Sequence, residues 1–117
     1  ERDTYFNAVE KLSEVLPTHE IFFEKMLVNH LYFIEFPLHE DAKFLCDDYM
    51  ALCASYMFLR ILELGCIHHD PTLTGIVDVA AAAFRLMEHT DFDGQVLHVL
   101  YEWHMTDPEI LNDFLHL

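Results

Sequence analysis

One segment constrains the fold of this chain more than any other, because residues 40–64 are apolar on nearly every side. Two acidic residues open the segment, Arg60 lies near its end and Gly65 follows it, which is typical of a helix with a glycine stop. A helix that is apolar all round needs other helices around it. The sequence therefore predicts a long central helix, part of which is expected to face a further domain or a second subunit.

The other segments are amphipathic and are separated by helix-breaking residues such as Pro17 and Pro37. No segment alternates strictly between apolar and polar residues, as a half-buried strand does. The sequence thus predicts an all-α bundle of five to six helices. The predicted helices are 3–16, 18–35 with Thr18 as N-cap, 40–64, 71–89 with Asp70 as N-cap, 95–105, and one opened by a Thr106–Glu109 capping box.

Helical spacing also predicts which side chains face the core. In the first helix these are Tyr5, Phe6, Val9, Leu12, Val15 and Leu16, and in the second Ile21, Phe22, Met26, Leu27, Leu31 and Ile34. In the fifth they are Val96, Leu97, Val99, Leu100 and Trp103, and in the last Ile110, Leu111, Phe114 and Leu115.

With 117 residues, the chain has room for one domain. It begins at Glu1 rather than Met, without a recognisable signal peptide, which favours a part of a longer protein. We expect a single helical domain over residues 1–117. The uncharged stretch in its most apolar segment, residues 49–59, is too short to span a bilayer.

The charge balance is strongly acidic, with 6 Lys and Arg against 21 Asp and Glu and a formal net charge of −15. Nucleic-acid binding needs a basic face, and an anionic membrane surface attracts basic segments, so both partners are disfavoured. The 53% hydrophobic content is too high for an acidic disordered tail. An odd set of cysteines without CxxC spacing, at Cys46, Cys53 and Cys66, predicts reduced, buried thiols in a cytoplasmic protein.

Nine histidines among many acids raise the hypothesis of a metal–carboxylate bundle. The Glu-x-x-His pairs of helical di-iron sites are absent from the sequence. The best alternative cluster is His98 and Glu102 with His104 nearby, which also fits a surface pair. His68 and His69, followed by Asp70, are interpreted as a solvated connector. The sequence has no Gly-x-Ser-x-Gly elbow and no glycine-rich phosphate loop.

Two arginines, Arg60 and Arg85, lie in otherwise apolar helices. A buried guanidinium needs a partner, because removing an unpaired charge from water is costly. Glu88 is three residues from Arg85 and His89 follows it, so these side chains can share a helix face. The pattern leaves two interpretations open: an internal salt bridge that ties helices together, or an Arg–Glu–His cluster at the edge of a pocket.

Two stretches of the chain resemble a known family. Residues 23–38 read FEKMLVNHLYFIEFPL and are similar to the ENYLVNYLF…LFPF segment of the flagellin lysine-N-methylase family. Some fifty residues on, residues 84–89 read FRLMEH and are similar to that family's sR-x-x-EH segment. Lys25 and Leu38 depart from the family pattern. The positions that match, and that we take as candidate binding residues, are Glu24, Asn29, Arg85, Glu88 and His89.

The resemblance implies that this chain is the C-terminal helical portion of a longer S-adenosylmethionine-dependent lysine N-methyltransferase acting on flagellin. It also implies an iron–sulfur or metal centre in a cysteine cluster upstream, so no cofactor and no activity are expected in this segment alone. The acidity suits recruitment of a lysine-bearing protein rather than methyl transfer, because an acidic surface raises the pKa of lysine and so keeps its amine protonated. No catalytic residue follows from the resemblance.

An alternative interpretation is an acidic helical module that binds another protein or a small ligand, with or without pairing into a homodimer. Its surface would be formed by side chains of the third helix that are more typical of a buried core. These are Tyr49, Met50, Tyr56, Met57 and Phe58.

Overall fold

The computed structural model describes residues 2–38 and 45–116, with the side chains of Pro108 and Phe114 left aside. The described residues form six α-helices and no strand, which confirms the predicted all-α bundle with a long central helix. The helices are α1 (Arg2–Val15), α2 (His19–Phe33), α3 (Leu45–His69), α4 (Leu73–His89), α5 (Phe92–Glu102) and α6 (Pro108–Leu115).

The central helix α3 packs against all five other helices and carries two separate core clusters. Around its C-terminal half, Leu59, Leu64 and Ile67 pack with buried side chains of α1, α2 and α4. Around its N-terminal half, Met50 and Cys53 pack with Leu100 of α5 and Leu111 of α6. Thus α2 and α4 both rest on the same half of α3, and this arrangement positions the site described below.

The end of α3 differs from the sequence-based prediction. The helix continues through Gly65 to His69, so that His68 and His69, which are exposed as predicted, belong to its last turn rather than to a connector. Gly65 has no positive φ, and nothing lies within 4 Å of where its Cβ would be. Buried Ile67 extends the core face beyond the glycine, which explains why the helix does not stop there. The predicted start, with Glu40, Asp41 and Phe44, lies outside the described residues.

Two predicted helix caps are wrong by one or two residues. Thr72, not Asp70, caps α4: its hydroxyl oxygen accepts a hydrogen bond from the Gly75 N–H at 3.1 Å and donates one to Asp70 at 2.7 Å. Asp107, not Thr106, caps α6, and its carboxylate accepts the Glu109 N–H at 2.8 Å. Thr18 holds the predicted N-cap position of α2, without a side-chain cap bond.

The side chains predicted to face the core are buried where they lie in the middle of a helix's apolar face, and several at the edges of that face are exposed. Leu12, Met26, Leu100 and Leu111 are buried as expected. By contrast, Phe6, Ile21, Val99 and Trp103 are exposed, with 70% of the Trp103 surface open to solvent. Phe114 lies outside the described side chains. Helical spacing fixes a direction for each side chain, whereas the width of the covered face depends on how many neighbouring helices reach it.

By length and composition alone, α3 passes as a membrane-spanning helix, with a mean hydropathy of 1.6 over its most apolar 18 residues. The expectation from residues 49–59 that the apolar stretch is too short therefore does not hold for the whole helix. Half of that apolar window is buried inside the protein, and α3 contacts every other helix. This is the packing of a core helix.

Candidate functional site

A groove of about 340 Å³ lies between α2 and α4, and we name it the α2–α4 groove. Its walls are mostly apolar and aromatic, and three polar residues also line it. The apolar lining is Phe22, Met26, Val77, Ala80, Ala81 and Phe84. The polar lining is Asn29, His30 and Glu88. A concave, largely apolar surface with a few converging polar groups is typical of a ligand site.

Helical periodicity explains why these residues share one groove. Phe22, Met26 and His30 are spaced four residues apart on α2, and Phe84 and Glu88 are spaced likewise on α4. The two faces meet where α2 and α4 rest on α3. Ala80 and Ala81 have small side chains, which leave space open between α2 and α4.

His30 is the most constrained polar group of the groove. Only 3% of its surface is exposed, and its Nδ1 has no hydrogen-bond partner in the part of the chain that the structure describes. Its ring stacks on Phe33 and contacts Phe84, with centroid distances of 6.5 Å and 6.0 Å. Buried polar atoms in folded proteins are nearly always hydrogen-bonded, so this nitrogen is a candidate to contact a ligand.

Two acidic residues lie in the neighbourhood of His30. Glu88, partly buried, lines the groove from α4. Asp93, at the start of α5, is half-buried, and burial raises the pKa of its carboxyl. No Lys or Arg lines the groove among the residues described. The groove is therefore suited to a cationic ligand rather than to an anion.

Of the family-matching positions, Asn29 and Glu88 enter the α2–α4 groove and the other three do not. Arg85 and His89 are exposed, and the Arg85 Nε–H donates to the Ala81 carbonyl oxygen at 3.3 Å. No Arg85–Glu88 ion pair forms between these two described residues, so the internal salt-bridge interpretation is wrong. Of the three residues of the alternative Arg–Glu–His cluster, Glu88 alone lies at this groove.

Glu24 lies in a second groove of about 450 Å³, which also contains Glu20 and Arg60. The Arg60 guanidinium lies over the Phe23 ring, with Cζ 5.9 Å from the ring centroid, while its buried Nε lacks a hydrogen-bond partner among the described residues. A cation–π contact therefore replaces the expected ion pair at this arginine.

The candidate metal cluster forms an exposed surface pair. His98 and Glu102 approach to 3.8 Å, with side chains 79% and 65% exposed. Among the residues that the structure describes, no three or more His, Cys, Asp or Glu side chains gather into a possible metal site.

The three cysteines are free, as expected, but differ in burial: Cys53 is buried, Cys66 is partly buried and Cys46 is exposed. The expectation of burial is therefore wrong for Cys46. All three lie on α3, where a rise of about 1.5 Å per residue places Cys46 and Cys53 about 10 Å apart along the axis and Cys66 about 20 Å further. They do not fit the ligand set of one iron–sulfur cluster, whose cysteines must converge.

One buried acid was missed by the sequence reasoning. Glu63 is completely buried within α3, and neither of its carboxylate oxygens has a hydrogen-bond partner among the described residues. Burial raises its pKa to about 7. Its position four residues from both Leu59 and Ile67, on the face that carries the core, was the available signal.

Comparison with known families identifies the family of this chain. The family model of the FliB lysine N-methylase C-terminal domain matches residues 2–111, nearly the whole chain. The chain therefore belongs to that family, and it is the C-terminal domain of a flagellin lysine N-methylase. This confirms the resemblance seen in the sequence and does not favour the alternative of an unrelated interaction module. Comparisons with curated proteins and with solved structures give no match.

Proposed function

We propose that this domain recruits the lysine-bearing substrate, flagellin, to the methylase of which it is a part. The observation that carries the proposal is the family match together with a net charge of −15. An acidic surface attracts a lysine-bearing partner and speeds encounter at low ionic strength. The same charge makes nucleic acid and anionic membranes poor partners.

The methyl-transfer chemistry is proposed to lie outside the described residues. S-adenosylmethionine would supply the methyl group, and an iron–sulfur or metal centre would belong to the parent chain. The spread of Cys46, Cys53 and Cys66 along α3 supports this division, since these thiols do not converge on one cluster. Their reduced state would fit a cytoplasmic location.

The salt dependence of substrate binding tests the recruitment role. In the full-length enzyme, we expect KM for flagellin to rise several-fold between about 0.01 M and about 0.15 M ionic strength, as the Debye length shrinks from about 30 Å to about 8 Å. The turnover number kcat should change little. Sucrose at matched osmolarity should leave KM unchanged. A KM that is independent of salt would contradict the proposal.

Self-association is the second part of the proposal. An apolar groove of about 410 Å³ lies between α3 and α5, and Ile61 and Val99 at its edge are about half exposed. Exposed apolar surface of this kind favours pairing with a second copy. Light scattering should detect a dimer that Ile61→Glu abolishes, whereas Leu86→Glu, at a similarly exposed site outside this groove, should leave it intact. A monomer at every concentration would exclude self-association.

A further inference from the structure

We propose that the α2–α4 groove binds the side chain of a lysine, with the ammonium group held by Glu88 and His30. The inference rests on the proposed recruitment of a lysine-bearing protein and deepens it, because it assigns the contact to particular side chains. It is carried by three features of one groove: a buried histidine whose Nδ1 has no partner among the described residues, a partly buried carboxylate and aromatic walls.

The dimensions of the groove suit one extended side chain. Its volume of about 340 Å³ is at the low end of the range of about 300–1,000 Å³ for small-molecule sites. Met26, Val77 and Ala80 provide an apolar wall for the four methylene groups of lysine. Long charged side chains commonly bury their apolar stems in this way while the charged end reaches polar groups.

The polar groups of the groove match the donors of an ammonium group. A primary ammonium has three N–H donors and no acceptor. The Glu88 carboxylate accepts one and compensates the charge, and the Nδ1 of a neutral His30 ring accepts another. The side-chain carbonyl of Asn29, at the same groove, is available for the third.

The aromatic rings add a contribution that favours a cation. Phe22 and Phe84 line opposite walls, and the faces of such rings attract an ammonium group. Removing the charge by acetylation would eliminate both this attraction and the ion pair with Glu88. The groove should therefore distinguish lysine from acetyl-lysine.

Peptide binding to the full-length enzyme tests the inference without depending on activity. The probe is a fluorescein-labelled peptide of Ala and Ser with a single lysine, followed by fluorescence anisotropy, and its twin carries acetyl-lysine. Glu88→Gln should raise Kd for the lysine peptide about tenfold, the size of effect expected when a charged partner is lost. His30→Phe, which keeps an aromatic ring and removes Nδ1, should raise it as well.

Matched controls make the result decisive. Glu10→Gln on α1 removes the same charge from an exposed site outside the groove and should leave Kd unchanged. The acetylated peptide should bind the wild-type enzyme at least about tenfold more weakly. Equal Kd values for Glu88→Gln and Glu10→Gln, in variants with wild-type melting curves, would overturn the inference. Equal binding of the two peptides would also overturn it.

The two proposals can fail separately. A KM for flagellin that rises with salt, combined with unchanged peptide binding in Glu88→Gln, would leave recruitment standing and reject the groove. Lysine-specific binding that Glu88→Gln weakens, combined with a salt-independent KM, would establish the groove and reject recruitment by the overall charge.

Discussion

The rings of His30 on α2 and Phe84 on α4 lie with their centroids 6.0 Å apart and join the two helices beside the α2–α4 groove. This contact links segments that are far apart in the sequence. It also places Asn29 and Glu88, the neighbours of these rings in the helices, at one groove. The two stretches that carry the family resemblance thus meet in space.

Removal of the Phe84 ring should weaken this junction. Phe84→Ala takes away the contact with His30 and the packing against the core, and we expect the free energy of unfolding to fall by about 2 kcal/mol, less than for a fully buried ring. Leu86→Ala, at an exposed position of the same helix, should change it by less than about 0.5 kcal/mol. Urea unfolding measures both. Equal losses would show that the ring contributes nothing specific.

The buried carboxyl of Glu63 should make stability depend on pH. Its pKa is raised from 4.5 to about 7 in the folded protein, so between these values the folded state holds a proton that the unfolded state has released. The contribution of Glu63 to the free energy of unfolding should therefore be highest below pH 4.5, fall as pH rises to about 7 and then level off. The contribution of this group to the fall is about 3 kcal/mol.

Glu63→Gln isolates this effect, because the amide cannot ionise. At pH 8 the variant should be about 3 kcal/mol more stable than the wild type, and near pH 4.5 the two should be about equally stable. Glu10→Gln, at an exposed site, serves as the matched control and should follow the wild-type profile. A Glu63→Gln variant that is less stable at pH 8 would mean that the carboxylate has a partner in the native state.

Gly65 distinguishes the continuous helix from the predicted helix end. Because Gly65 lies in the interior of α3 with open space around the Cβ position, Gly65→Ala should stabilise the protein by about 1 kcal/mol. The corresponding rise in Tm, by differential scanning calorimetry, is about 4 °C or more. At a left-handed C′ position the same substitution would destabilise, so a lowered Tm would place the helix end at Gly65.

The cap of α6 can be tested in the same way. Asp107→Ala removes the acceptor for the Glu109 N–H and should cost about 1 kcal/mol of stability. Thr106→Ala should cost less than about 0.5 kcal/mol, since its side chain does not cap the helix. If chemical denaturation showed a larger loss of stability for Thr106→Ala than for Asp107→Ala, the predicted capping box at Thr106 would be supported instead.

These cases show which features the sequence could predict. Pro17 and Pro37 separate the helices because proline lacks the N–H that a helix needs, and that effect is local. Gly65 misled the prediction because glycine is compatible with both a helix interior and a helix end. The helix continues past Gly65 because Ile67 is buried, and that burial depends on the other helices.

The candidate site was harder to predict from the sequence than the helix ends, because it depends more on tertiary packing. The resemblance identified Asn29 and Glu88 as separate matches, yet only the packing of α2 and α4 on α3 brings them to one groove. Arg85 follows Phe84 by one residue, about 100° further around α4, and therefore points away from that groove. His30 attracted no attention in the sequence, because its burial and unpartnered nitrogen arise only in the folded protein.

The central proposal is that the α2–α4 groove binds a lysine side chain of the substrate protein and so helps to recruit it. Its most direct test is the methylation kinetics of the full-length enzyme on flagellin, with Glu88→Gln compared against Glu10→Gln. We predict that Glu88→Gln lowers kcat/KM about tenfold, through a higher KM with kcat little changed, and that Glu10→Gln stays at the wild-type value. Identical kcat/KM values for the two variants and the wild type would contradict the claim.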